Sequence, residues 1–358
     1  DPSRMFWPSS PCAGPGNFAD KWTTDSQGDM HNWQVWHENR PFDAYYAYSP
    51  RFCSEFGYQS FPSMEVAETF ATREQILSRA PEFEGHQKNP GGNRRIRETM
   101  RRYFRPAKDV EAELLLSQFQ QGMAIKMAVD GWRAQRPRCM GTLFWQLNDN
   151  WPVASWSSIE YGGKWKPLQY LAKRFYAPVT VVAQPTVADG QADVTHGQVF
   201  ALNDTAKTVT GALTLVYWTY DGRVVSAETR PVALPPDSSP AVADFARPGS
   251  ASRPSCPTFL VLTLKTAQGT FQNDWHFGFY RDMPLAPAKV TARVAPSGAL
   301  ELATDRPAFY VWANVKGVRG EFDDNCLTLL PGRPKTLTFA GKLSRDALTV
   351  THLADQTD

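Results

Sequence analysis

Hydrophobic positions recur at helical spacing at Val110, Leu114, Leu115, Phe119, Met123, Met127 and Trp132, and predict one long helix ended by Arg136-Pro137. Ile96, Met100, Tyr103 and Phe104 outline a shorter helix over 93–104, where five arginines fill most of the other positions. That charged stripe reads as the solvated face of an amphipathic helix rather than as a nucleic-acid surface. Helical spacing returns over Pro167–Phe175, and Ser63 is placed as an N-cap with Glu65 and Glu68 in the first turn. Between these, residues 4–7, 30–36, 51–54 and 139–147 read as strands, the last mostly apolar as in a strand buried on both faces. Strands alternating with helices indicate βα units around a parallel sheet. A sheet ending at four strands would leave long apolar edges exposed, so residues 1–178 read as half of something larger.

The pattern changes after Tyr176-Ala-Pro-Val179. Runs at 180–183, 194–202, 212–220 and 258–265 are β-rich, Asp221-Gly222 is a hairpin signal, and Pro- and Ser-rich loops at 235–240 and 248–257 punctuate them. A second β-rich group follows Pro284-Leu-Ala-Pro287, with runs at 289–294, 300–303, 308–315 and 335–339. Short strands with frequent turns predict β-sandwiches. The expected domains are 1–178, 179–286 and 287–358.

Composition adds limits. The 358 residues carry a net charge of +2, which offers no general case for nucleic acid or a membrane surface as partner. No run of 18 apolar residues exists, so no transmembrane helix is predicted. The five cysteines, at 12, 53, 139, 256 and 326, are scattered without CxxC spacing and are expected to be reduced, mostly buried thiols rather than a disulfide framework or zinc site. Aromatics are more telling: with 12 Trp, the chain holds more indole than a core needs, and ligand stacking is one use for the excess.

In a (β/α)8 barrel, catalytic groups sit where strands end. Four places carry aromatic, polar or charged residues in or just past a strand-like run: Trp7 with Ser9, His31 with Trp33, Glu55, and Trp145 with Asn148 and Asp149. Glu55 is the most unusual, one acid in the mostly apolar or small stretch RFCSEFGYQSFP, where a charge is costly unless it is paired or has a chemical task. A carboxylate with indoles is the surface a sugar site uses, the indole covering the apolar face of a pyranose and the carboxylate working at its anomeric carbon. Blander readings stand beside these. Glu55 could be the buried partner of an arginine, Trp145 a core residue, His31 a hydrogen-bonded structural histidine and Asp149 a cap, while Glu38 reads as a solvated loop acid. No Ser/His/Asp order, phosphate loop or metal-ligand spacing is present, and neither metal nor cofactor is expected.

RFCSEFGYQSFPS and GTLFWQLNDNWPVASWSSIEYGGKWKPLQY resemble two segments of the β-mannosidases of glycoside hydrolase family 2. DPSRMFWPSSP and GDMHNWQVWH resemble the segments before them, and FDDNCLTLLPG resembles the family's C-terminal β-domain. The resemblance implies the second half of a (β/α)8 barrel, strands five to eight, followed by two immunoglobulin-like β-sandwich domains. It implies an exo-acting retaining glycosidase that removes terminal non-reducing β-mannose from β-mannosides or manno-oligosaccharides. Glu55 takes the place of its nucleophile and Trp145 the floor of the −1 subsite, with Trp7, His31, Trp33, Asn148 and Asp149 along that subsite or its margin. The family's acid/base is a Glu that follows Asn, upstream of the nucleophile, and this chain contains no Asn-Glu. Retaining hydrolysis needs two carboxyls about 5 Å apart. The N-terminal half of the same enzyme is therefore the expected partner, and the chain alone is expected to be inactive. Another family 2 exo-β-glycosidase (a galactosidase, glucuronidase or glucosaminidase) and a non-catalytic carbohydrate-binding protein are the alternatives.

Overall fold

The computed structural model describes residues 2–4, 6–18, 24–249, 257–341 and 343–358. Three short strands, β1 (Met30–Asn32), β2 (Cys53–Phe56) and β3 (Thr142–Phe144), form a parallel sheet in the order β1-β2-β3. The β1–β2 register sets His31 opposite Glu55, and the β2–β3 register sets Phe56 opposite Phe144.

Helices connect and cover this sheet: α1 (Gln34–His37), α2 (Met64–Ala67), α3 (Arg73–Ser78), α4 (Pro81–Glu84), α5 (Gly92–Tyr103), α6 (Val110–Ala134) and α7 (Pro167–Phe175). Ser63 caps α2 by accepting from the Val66 N–H, and Asp109 caps α6 by accepting from the Ala112 N–H. Phe56 is fully buried, with its ring 5.0 Å from Trp132 of α6 and 6.4 Å from Tyr45.

Helix α6 also holds the irregular chain leaving β2. Ser117 Oγ accepts from the Phe61 N–H (2.9 Å), Gln118 Nε2 donates to the Phe61 carbonyl (3.2 Å), and Gln121 Nε2 donates to the Tyr58 carbonyl (2.9 Å). Ser60 Oγ donates to Gln121 Oε1 (2.9 Å) and Gln120 Nε2 to the Tyr58 hydroxyl (2.9 Å). These polar side chains are buried because non-repetitive backbone beside them needs partners that a sheet would otherwise supply.

Several expectations are corrected. Arg4, Phe6 and Trp7 belong to no strand, and Met5 lies outside the described residues. Prolines on both sides, Pro2 and Pro8, lack the N–H a ladder requires. The 30–36 run is a strand only to Asn32, and helix α1 follows, with the His37 N–H bonded to the Trp33 carbonyl. The third strand begins two residues late and runs to Phe56, so Glu55 lies within β2 rather than past its end. The 139–147 run narrows to Thr142–Phe144. Glu68 closes the short α2 instead of sitting in its first turn. Helices α3 and α4, too short for a clear period, were not expected.

Two antiparallel sheets follow. Strands β4 (Val179–Ala188), β5 (Gln191–Asn203), β6 (Val209–Thr219), β7 (Val224–Leu234), β8 (Ala241–Ala246), β9 (Thr258–Thr266) and β10 (Gly269–His276) pair as β4-β5-β8 and β10-β9-β6-β7. Val199, Leu213, Phe245, Leu260 and Leu262 belong to the core of these strands. Gly222, at φ 96°, makes the Asp221-Gly222 turn that joins β6 to β7. The 248–257 loop lies largely outside the described residues, as does Cys256. The last strands, β11 (Val290–Val294), β12 (Leu300–Thr304), β13 (Ala308–Val315), β14 (Leu327–Leu329), β15 (Lys335–Leu337) and β16 (Leu348–Thr351), pair as β11-β12-β15 and β14-β13-β16. Their core merges with the helical layer: Tyr310 stacks on Phe119 of α6 (4.9 Å), and Trp312 meets Tyr170 of α7 edge-on (5.6 Å). Among the described residues, Cys12, Cys53, Cys139 and Cys326 are buried free thiols, and no helix is long and apolar enough to cross a membrane.

Trp132→Ala removes the ring that packs Phe56 and Tyr45, and is expected to cost about 3–5 kcal/mol. Urea titration followed by far-UV circular dichroism checks this, and a loss below about 1 kcal/mol would contradict the packing described.

Candidate active site

Parallel pairing brings together residues far apart in the chain. Glu55, in the middle of β2, is about one-third exposed, and its Oε2 accepts a hydrogen bond from Trp33 Nε1 (3.1 Å). His31 Nδ1 lies 3.4 Å from the same oxygen, on a ring that is mostly buried. Trp33 follows β1 directly, and its ring is tilted 55° to that of His37 with centroids 5.4 Å apart.

Trp33 and the Trp145 backbone can approach the residue after Phe56 because Gly57 has no side chain. A Cβ there would lie 2.4 Å from the Trp145 carbonyl oxygen and 3.0 Å from the Trp33 ring. Trp145 is anchored by its N–H, which bonds the Phe56 carbonyl (2.8 Å), and its ring stays 45% exposed. The structure thus packs Trp33 and the Trp145 backbone against the bare face of Gly57, two residues after the carboxylate.

Behind this surface lies Asp29, the residue before β1. Its Oδ1 accepts from Trp7 Nε1 (3.3 Å) and from the Cys12 N–H (2.9 Å). Its Oδ2 accepts from Ser10 Oγ (2.6 Å) and Ser54 Oγ (2.5 Å). Ser10 Oγ in turn lies 3.1 Å from His31 Nε2. Burial alone would raise the pKa of Asp29, but the bonds from Ser10, Ser54, Cys12 and Trp7 outweigh it and hold the carboxyl below its usual range. Gly28, at φ 61°, makes this possible: a Cβ there would fall 1.7 Å from the Cys12 carbonyl oxygen.

Of the expected site residues, Glu55, His31 and Trp33 touch one another, Trp7 joins them through Asp29, and Trp145 adjoins across Gly57. Asn148 is exposed, and its carbonyl accepts from Gln146 Nε2 (2.7 Å). Asp149 is corrected. Its side chain is fully buried, paired with Lys88 Nζ (2.7 Å) and bonded by Ser155 Oγ (2.6 Å) and Ser157 Oγ (2.5 Å). With every oxygen engaged, it braces the loop after β3 and has no group to offer a ligand. Glu38 pairs with Arg40 on the surface (3.0 Å).

Asp29, Ser10, Ser54 and Gly57 were missed as site residues. The signal for Asp29 was present, since it is an acid immediately before a strand-like run. Ser10 and Ser54 carried none, because a serine's value here depends on what faces it. A carboxylate one-third exposed and held by an indole donor can attack an electrophilic carbon, and an exposed indole such as Trp145 can cover an apolar ligand face.

Residues 195–278 match the family described as Mannosidase Ig/CBM-like domain, and residues 285–356 one described as Ig-fold domain. The β-mannosidase of Bos taurus is 27% identical over 95% of this chain and 41% of its own length. Beta-mannosidase B of Aspergillus terreus is 34% identical over 55% of this chain and 23% of its own length. Among solved structures, the β-D-mannosidase of Dictyoglomus thermophilum aligns with a TM-score of 0.82 at 27% identity, over 92% of this chain and 40% of that one. An exo-chitosanase of Amycolatopsis orientalis aligns with a TM-score of 0.62 over 90% of this chain and 45% of that one; at 14% identity it shows a shared fold alone. The chain spans about two-fifths of the length of the first curated relatives it matches.

Gly57→Ala is expected to push the Trp33 ring and the Trp145 carbonyl apart, breaking the 3.1 Å bond from Trp33 to Glu55. A crystal structure of the variant in which that bond survives would refute the close-approach argument.

Proposed function

We propose, from the premise that this chain belongs to the β-mannosidases of glycoside hydrolase family 2 and forms part of their C-terminal portion, that Glu55 is the nucleophile of an exo-acting retaining β-mannosidase. The observation that carries the proposal is the placement of Glu55: a partly exposed carboxylate on a parallel strand, held by an indole N–H, with the exposed Trp145 bonded through its backbone to the neighbouring Phe56. In this reading, the parallel sheet β1-β2-β3 and its helices are part of a (β/α)8 barrel that the preceding part of the longer protein completes. The exposed Leu143 of β3 is suited to such a continuation, since a strand left at an edge presents unpaired backbone beside apolar side chains.

Glu55 attacks the anomeric carbon of a terminal β-mannosyl residue, forming a C–O bond as the glycosidic C–O bond breaks. The departing oxygen takes a proton from a second carboxylic acid. Water, deprotonated by that same group, then releases mannose and frees Glu55. Asp29 is not that acid. It reaches Glu55 only through Ser10 and His31, and four donors keep it ionised, so it has no proton to give. The acid/base therefore comes from the N-terminal half of the enzyme. Trp145 lies under the sugar ring, with Trp7, Trp33, His31 and Asn148 at the margin of the pocket.

In the complete enzyme, Glu55→Gln is expected to lower turnover of an aryl β-mannoside on the order of 10³-fold or more while retaining sugar binding. A 2-fluoro mannosyl inactivator is expected to label Glu55, and aryl β-galactosides to turn over far more slowly than the mannoside. Residues 1–358 alone are expected to show no hydrolysis. Substantial activity in the Gln variant would assign the nucleophile elsewhere, and turnover by the isolated chain would remove the need for a second half.

A further inference from the structure

We infer that Asp29 is a positioning residue: acting through Ser10, it determines whether His31 Nε2 carries a proton, and so whether the ring beside Glu55 is charged. The inference rests on the reading of Glu55 as the attacking group.

Counting hydrogens carries the argument. Both oxygens of the buried Asp29 carboxylate are saturated, Oδ1 by Trp7 Nε1 and the Cys12 N–H, Oδ2 by Ser10 Oγ and Ser54 Oγ. A serine hydroxyl has a single hydrogen. That of Ser10 is committed to Asp29, at 2.6 Å, and that of Ser54 likewise, at 2.5 Å. The 3.3 Å approach of the two serine oxygens therefore carries no hydrogen of its own. Toward His31 Nε2, at 3.1 Å, Ser10 can only accept. Nε2 must be the protonated nitrogen.

That leaves Nδ1 facing Glu55 Oε2 at 3.4 Å. An unprotonated Nδ1 would set a lone pair against a carboxylate oxygen, an arrangement like-charged acceptors disfavour. A proton held between Nδ1 and Oε2 removes the conflict. Oε2 then has two donors, the His31 ring and Trp33 Nε1, while among the described residues no donor reaches Oε1. The unengaged Oε1 is the oxygen left to attack. Without the carboxylate of Asp29, the Ser10 hydroxyl is free to turn and donate to Nε2. The ring then gives up its Nε2 proton and keeps the one on Nδ1, so it stands neutral beside Glu55 instead of carrying a proton on both nitrogens.

Neutron diffraction from the deuterated complete enzyme reads these positions directly. Deuterium is expected on Ser10 Oγ pointing at Asp29, and on His31 Nε2 pointing at Ser10. A bare Nε2 accepting from Ser10 would overturn the inference. Kinetics give a second readout: Asp29→Asn and Ser10→Ala are expected to lower kcat for an aryl β-mannoside about tenfold or more, with KM nearly unchanged, and Ser10→Thr to restore it. An unchanged kcat in Ser10→Ala, in a protein that labels normally, also overturns it. The inactivator separates the two failures. If Glu55 takes no label, the nucleophile assignment falls and this inference with it. If Glu55 is labelled but the Ser10 hydrogen points at His31, only the positioning role is lost.

Discussion

The site depends on how the chain is held after it leaves β2. Beyond Glu55, residues 57–61 are neither helix nor regular strand, yet they are buried. Ser60 pairs with Ser155 through both of its backbone groups, but the carbonyls of Tyr58 and Phe61 and the Phe61 amide have lost water and sit in no sheet ladder. Helix α6 supplies the partners, through Ser117, Gln118, Gln120 and Gln121 on one face. An apolar α6 would bury as much surface and leave those groups unpaired, at a cost of about 1–3 kcal/mol each. The polar seam therefore fixes the path of the chain just after Gly57, the residue against which both Trp145 and the indole that binds Glu55 are packed.

A second layer of constraint lies outside the sheet. The C-terminal strands β11–β16 share a core with α6 and α7 through Tyr310 on Phe119 and Trp312 on Tyr170. Arg174 of α7 adds bonds to the Asn325 and Cys326 carbonyls. Strands β4–β10 bury a core of their own, while Val216 and Trp218 of β6 and Phe259 and Val261 of β9 also belong to the shared one. The terminal sheets thus buttress the helix that holds the β2 exit, although among the described residues none of theirs bonds to the Glu55 carboxylate.

Much of the architecture was legible from the periodicity of side chains. Helices α5, α6 and α7 were readable because each repeats its apolar positions over nine or more residues. Short elements were not: α3 and α4 span less than two turns. The 139–147 run was read as one long strand because its apolar residues are continuous, whereas the structure keeps three of them in the sheet. Asp149 looked like a site residue for the same reason that Glu55 did, an acid beside indoles. Lys88, 61 positions away, is what separates them, since its ammonium pairs with the buried Asp149, while among the described residues no lysine or arginine pairs with Glu55.

What the sequence determined by itself was therefore local and periodic: which segments are helical, where β-rich character begins, and that Glu55 is an acid in an otherwise apolar or small strand context. Which groups face that acid was decided only by the tertiary structure. The register of β1 on β2 sets His31 opposite Glu55, and the close approach at Gly28 brings Cys12, Ser10 and Trp7 onto Asp29. Hydrogen bonds act over about 3 Å in space and ignore distance along the chain, so no pattern within one segment could announce them.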